Sequence, residues 1–245
     1  MIDALIYRLG NYLALSRSDE QILRDSVVRV EEYARHQQIN SANERPEHVH
    51  IVVEGWLYRY KYLEQGKRSI LGYLIPGDVS DIHIALLDHM DHSVSTLTPA
   101  RCALIPRETV RHIFEHHTSL AYALFWTSLV EESVLREWFV NSTGRPADKR
   151  LAHLLCEMYV RHRATGLASG RAVDFPPTQN DLADALGITI VHTNRVLQRL
   201  RKEGLIALED KRLVINDWER LKAFAEFSTD YLHLQEEKIM TPLGP

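Results

Sequence analysis

The chain has 245 residues, 45% of them hydrophobic, a formal net charge of −4 and only two cysteines. Its length fits one large domain or two modest ones, and its apolar content is that of an ordinary globular protein. Two cysteines exclude a disulfide framework. No apolar run approaches the ~20 residues of a membrane span. The start Met1-Ile2-Asp3 lacks the basic stretch of a secretory signal, so the cytoplasm is the expected location and no membrane partner is expected.

In chain order, Leu5, Ile6, Leu9, Tyr12 and Leu13 recur at helical spacing. They predict an amphipathic helix over Ile2 to Leu15, packed on the domain that follows. From Val27 to about Pro106 the pattern is β. His50 to Leu63 alternates in part, Glu64 to Arg68 holds a hairpin turn, Ser69 to Ile75 returns, and Arg101 to Ile105 is a further strand. Gly55 is placed where a β corner needs it.

Glu108 to about Asn141 reads as helix. Leu120, Leu124, Thr127, Val130, Val134 and Trp138 recur at three- and four-residue steps, the pattern of a seam between paired helices. Phe125, Leu129, Leu135 and Phe139 give the helix further apolar faces. A helix apolar on several sides is buried on several sides. One face is expected against the β domain and another against a second copy, although a buried helix of a monomer has the same periodicity. The NSTGRP stretch, Asn141 to Pro146, has the composition of a hinge. Three regions are expected: residues 1–107, a helix and β-roll; 108–143, a dimerisation helix; and 144–245.

The last region holds the most informative stretch, TQNDLADALGITIVHTNRVLQRLRKEGLI, from Thr178 to Ile206. Thr178 follows two prolines and precedes Asp181 by three residues, a capping-box spacing. Leu182, Ala183 and Leu186 share one helical face. Gly187 turns the chain, Thr189 can cap a second helix, and Val196, Leu197 and Leu200 form that helix's buried stripe. Its other face offers His192, Asn194, Arg195, Gln198, Arg199, Arg201 and Lys202, with no carboxylate between Leu186 and Lys202. The spacing is that of a helix-turn-helix, which sets its second helix in the major groove of DNA. A helix approaching the anionic backbone should lack acids. Arg195 is placed to fork onto a guanine edge. Ile190 and Val191 sit at the helix tip, within reach of thymine methyls, and amides near Thr178 and Gln179 can hold a phosphate. An ordinary helical pair with a solvated basic face has the same composition, but two short apolar runs follow, Leu205 to Leu208 and Arg212 to Ile215. They read as the hairpin of a wing.

Charge divides accordingly. Gly144 to Trp218 carries twelve Lys/Arg against nine Asp/Glu, an excess of three, which leaves −7 for the remainder. Such asymmetry suits a modular DNA-binding protein.

On these motifs the chain resembles the Crp/Fnr family of bacterial transcription regulators, over about Leu15 to Leu232. GRPADKRLAHLLCEMYVR resembles the helix leading into the family's DNA-binding domain, VEGWLYRYKYLEQGKRSILGYLIPGD its β-roll, and DWERLKAFAEFSTDYLHL an extension of many proteobacterial members. The resemblance implies an α+β fold. An N-terminal double-stranded β-helix, a cyclic-nucleotide-binding-like jelly roll, is followed by a long dimerisation helix and a C-terminal winged helix-turn-helix. It also implies a homodimer on double-stranded DNA, with RNA polymerase as a further partner. The family's base-reading positions fall on Ile190, Val191 and Arg195. This chain lacks the frequent polar pair at the first two and keeps the arginine, so its operator cannot be copied from relatives.

The effector is left open. Cyclic nucleotides need a cation on the phosphate, yet Ser69 to Ala100 contains no Lys or Arg. His92 and Ser93 stand where the family's phosphate-binding arginine and hydroxyl residue fall, and Asp78, Asp81, Asp88 and Asp91 would repel a phosphate. Cyclic AMP is therefore not expected. An iron–sulfur cluster needs about four thiolates, and Cys102 and Cys156 do not supply them. Asp81, His83, His89, Asp91 and His92 are nitrogen and oxygen donors near one another in sequence, a weak pattern for a metal, with His83, Asp91 and His92 the candidates. A hydrogen-bonded loop has the same composition. No nucleophile–base set or phosphate loop suggests an enzyme. The reading opposed to DNA binding is a sensor or adaptor that binds a metal or small molecule through the β-roll.

Overall fold

The computed structural model describes residues 1–166 and 172–234. It forms two compact units, Met1–Glu132 and Ser133–Pro245. The division falls inside one long helix rather than at the NSTGRP turn.

The first unit begins with α1 (Asp3–Leu9) and α2 (Arg17–Asp25). The single helix expected over Ile2 to Leu15 ends early, and α2 was not expected. Its signal was a capping box, with Ser16 accepting from the Asp19 amide and Asp19 accepting from the Ser16 amide. The strands are β1 (Arg29–Tyr33), β2 (Gln38–Asn40), β3 (His48–Glu54), β4 (Leu57–Tyr62), β5 (Arg68–Leu74), β6 (Val79–Ser80), β7 (Ser93–Thr96) and β8 (Ala100–Pro106). They make two antiparallel sheets, ordered β1-β8-β3-β6 and β2-β7-β4-β5. Gly55, at φ +81°, turns β3 into β4, and a Cβ there would lie 2.3 Å from the Pro99 carbonyl oxygen, so the corner admits only glycine.

Leu57, Leu74 and Val94 from one sheet meet Val49, Ile51, Ala103 and Ile105 from the other in a single apolar core. Leu5 and Leu9 of α1 join it, and Arg8 of α1 forms a buried ion pair with Asp78. A short 3-10 turn (Ile82–Ala85) follows β6, and α3 (Arg107–His116) follows β8.

The helix expected from Glu108 to Asn141 is two helices, because His117 leaves helical geometry before α4 (Thr118–Gly144). Four of the six expected seam residues are already covered by their own chain. Leu120, Leu124, Thr127 and Val130 are buried within this chain, the first two in the core of the first unit. Val134 and Trp138 are half-buried, and the Trp138 indole donates to Glu157 at 3.0 Å. The exposed large apolar residues of α4 are Tyr122, Phe125, Trp126, Leu129, Leu135, Phe139 and Val140, which include the whole remaining apolar set. Leu120 and Leu124 join the core of the first unit, because a helix packed on its own domain needs the same apolar stripe as one packed on a second copy.

In the second unit α5 (Ala147–Arg163) is followed by β9 (Ala172–Asp174), α6 (Gln179–Leu186), α7 (Ile190–Lys202), β10 (Ile206–Glu209), β11 (Arg212–Ile215) and α8 (Trp218–Ala225). The expected hairpin is β10–β11. It turns at Asp210 and Lys211, both at positive φ, as a two-residue hairpin loop requires. β9 pairs with β11 and completes a three-stranded sheet that the sequence pattern did not suggest. Behind α5, Phe227 and Tyr231 pack on the ring of the buried His153, and the Tyr231 hydroxyl donates to Glu157 at 3.0 Å.

Candidate nucleic-acid interface and sensory interior

The α6–α7 pair is built by local chemistry. Thr178 and Asp181 form a complete capping box at the start of α6. Gly187, at φ 65°, ends α6, and Thr189 caps α7 by accepting from the His192 amide. Thr193, Val196, Leu197 and Leu200 are buried, which fixes the rotation of α7 and turns its other face to solvent. On that face Ile190 and Val191 are 49% and 70% exposed, an apolar tip bearing no structural duty in this chain. His192, Arg195 and Gln198 are exposed beside them. Among the described residues Arg195 has no hydrogen-bond or ion-pair partner, so its guanidinium is free for a base edge.

Two other expected contacts are engaged within the chain. Asn194 is half-buried and donates to the Gln179 side chain at 3.0 Å, tying the start of α6 to α7. Arg199 is expected on the DNA-facing side of α7. It pairs with Asp148 at 2.7 Å and Glu203 at 2.8 Å, and it lies 5.4 Å over the ring of Phe224. The partner at Asp148 lies far from it in sequence, so helical spacing gave no hint of it. Arg201 donates to the Leu208 carbonyl and ties α7 to the wing.

Inside the β-roll the structure reveals a cation the loop composition concealed. Arg59, from β4, bonds Asp81 at 2.9 Å and Glu131 of α4 at 3.2 Å, with its side chain only 16% exposed. Sequence alternation placed Arg59 in a strand but could not give its partners. Asp81, in the left-handed region at φ 58°, also accepts from Ser80 and from His92 Nε2 at 3.1 Å. Against the pull of burial, Arg59 and His92 hold Asp81 well below the usual carboxylate range. His92 Nδ1 lies 2.6 Å from Asp91. Burial opposes charge on His92, but its bonds to Asp81 and Asp91 keep its pKa above the ordinary value near 6.5.

The four loop aspartates do not act as one repulsive cluster. Asp78 belongs to Arg8, Asp88 and Asp91 are exposed, and Asp81 faces the interior. The result for a cyclic phosphate is nonetheless unfavourable. The cation beside Asp81 and His92, Arg59, is already neutralised by two carboxylates, and Ser93 accepts from the Ala42 amide at 3.0 Å. These residues do not fit a cyclic nucleotide.

The metal candidates are not assembled either. Among the described residues no group of three or more His, Cys, Asp or Glu side chains is arranged to hold a metal ion. His83 lies beside His92, ring centroids 6.2 Å apart, but both nitrogens of His92 are taken by Asp81 and Asp91. Cys102 and Cys156 are fully buried, and burial pushes the Cys102 thiol up to about 12 and the Cys156 thiol higher still. Such thiols are unreactive at neutral pH.

A Crp-like helix-turn-helix domain model matches residues 149–224, and a cyclic nucleotide-binding domain model matches residues 30–117. The chain is 24% identical over 208 residues to the transcriptional activator protein FnrL of Cereibacter sphaeroides, covering 83% of each. It is 28% identical over 175 residues to the nitrogen fixation regulation protein FixK of Bradyrhizobium diazoefficiens, covering 71% of this chain and 72% of that one. The solved structure of FixK2 from Bradyrhizobium japonicum matches with a TM-score of 0.74 at 22% identity, over 82% of this chain and 98% of that one. The two domain matches fall on the β-roll and the winged helix, in that order, and the likeness to named regulators runs through both: the chain belongs to the Crp/Fnr family of transcription regulators.

Proposed function

We propose that the protein acts as a cytoplasmic homodimer, placing α7 of each protomer in successive major grooves, ~34 Å apart, of a roughly palindromic operator. The free Arg195 guanidinium on an exposed, acid-free surface of α7 carries this reading. Ile190 and Val191 read by shape and methyl contact, Arg195 by hydrogen bonds, and the α6 start at Thr178 and Gln179 positions the unit on phosphates. Phe125, Leu129, Leu135 and Phe139 of α4 supply the surface for the second copy. RNA polymerase is the partner on which bound protein acts.

The input reaches the β-roll and is not a cyclic nucleotide. Arg59 joins Asp81 of the roll to Glu131 of α4, so anything that separates this trio loosens α4 from the roll. Fluorescence anisotropy of the full chain on operator and random duplexes tests the DNA reading. Operator preference that Arg195→Ala reduces supports it, whereas equal loss on both duplexes makes Arg195 a phosphate contact only.

A further inference from the structure

We propose that the corner where β8 meets α3 is a binding site for a small hydroxylated anion, one carrying a phosphate or carboxylate group. The N-cap of α3 is Pro106, which makes no side-chain capping hydrogen bond. A helix start of this kind favours negative charge. The second observation is Arg107 at the first helical position. Its side chain is only 8% exposed, and none of its three guanidinium nitrogens has a hydrogen-bond partner among the described residues. The nearest carboxylate oxygens, Glu108 at 3.8 Å and Asp88 at 3.9 Å, lie beyond hydrogen-bond reach. A buried guanidinium without acceptors is costly, and an arginine fork takes a phosphate or carboxylate through two parallel bonds.

Arg107 lines a cavity of about 380 Å³ with Arg45, Pro46, Glu47, Pro106 and Glu108, within the size range of small-molecule sites. Arg45 brings a second cation, and the Asp88 oxygen nearest Arg107 is also 3.4 Å from Arg45. Exposed and loosely held between two arginines, the Asp88 carboxylate occupies the place an incoming anion would take. Glu108 is drawn aside by Arg111 at 3.4 Å, and Arg111 also donates to the Ala85 carbonyl. Glu47 and Glu108 oppose a polyanion such as a nucleic-acid backbone, and they accept hydrogen bonds from hydroxyl groups on a small ligand. That combination selects the ligand class.

Isothermal titration of the full chain with glycerol 3-phosphate and, separately, with 3-hydroxybutyrate tests the site and tells phosphate from carboxylate. Saturable binding of either probe in the millimolar range or tighter is expected. Arg107→Met and Arg45→Ala should each weaken it about tenfold or more, and Asp88→Asn should tighten it by relieving the competition. Arg45 is exposed, so its variant remains informative if Arg107→Met fails to fold. No binding of either probe, or binding that Arg45→Ala and Asp88→Asn leave unchanged, overturns the proposal. Neither outcome bears on DNA binding, which the same protein reports in a separate assay.

Discussion

Replacing Phe139 by Ala asks which face of α4 meets a second copy. Full burial of a phenylalanine side chain is worth ~1.5–3 kcal/mol. Phe139 is 69% exposed in the single chain, so pairing can add at most about two-thirds of that per protomer. A symmetric interface counts the residue twice, giving ~2–4 kcal/mol per dimer and a dissociation constant raised ~30- to ~700-fold. The fold of each protomer should hardly change, because Phe139 gives little to its own core. Leu124→Ala should do the reverse: Leu124 is 3% exposed in the β-roll core. Its truncation should cost ~2–5 kcal/mol of folding stability and leave association of the folded protein intact. Sedimentation equilibrium over a range of concentrations, paired with urea unfolding, reads both quantities. A Leu124→Ala protein that is well folded but monomeric, beside a Phe139→Ala protein still fully dimeric, would refute the assignment of faces.

Other outcomes follow from particular residues. Arg195→Ala should cost ~1–3 kcal/mol on the operator and relax discrimination at one base pair, while Arg199→Ala, already tied to Asp148 and Glu203, should leave discrimination unchanged; competition anisotropy with single-base variants of the operator compares them. His153 is fully buried, and burial, aided by Arg145, pushes its pKa to about 3 from the ordinary 6.5. The unfolded chain therefore takes up this proton first, and stability that is full above pH ~6.5 is lost as pH falls towards about 3. His153→Gln should flatten that loss in urea melts, and an unaltered slope would contradict the assignment. His92 has the opposite sign. Its raised pKa gives stability that is present below pH ~6.5 and lost as pH rises through the folded value, a loss that His92→Gln should remove. Thiol reagents should label neither Cys102 nor Cys156 until the protein is unfolded, as mass spectrometry of native and denatured samples would show.

Local rules made the helix-turn-helix legible. Thr178, Asp181, Gly187 and Thr189 set their own backbone within a few residues, and the stripe of Val196, Leu197 and Leu200 determines which side of α7 is free. The hairpin of the wing and the Gly55 corner were readable for the same reason. What failed was partner choice at long range. Periodicity marked Leu120 to Val130 as a seam, but burial within the chain and burial against another helix require the same spacing. The ion pairs of Arg59, and that of Arg199 with Asp148, join residues distant in sequence, so composition and local spacing do not show them. β9 is three residues long and gains its strand character from pairing with β11, too little for an alternating pattern to show.

Sequence-specific DNA binding is tested most directly by its salt dependence, using the full chain and an operator selected from fragmented genomic DNA. Binding should be ~10³-fold or more tighter to the selected site than to random duplex. Affinity should fall by at least ~10³ between about 50 and 200 mM salt, as a dimer neutralising several phosphates demands. Binding to no duplex, or binding indifferent to both sequence and salt, would contradict it.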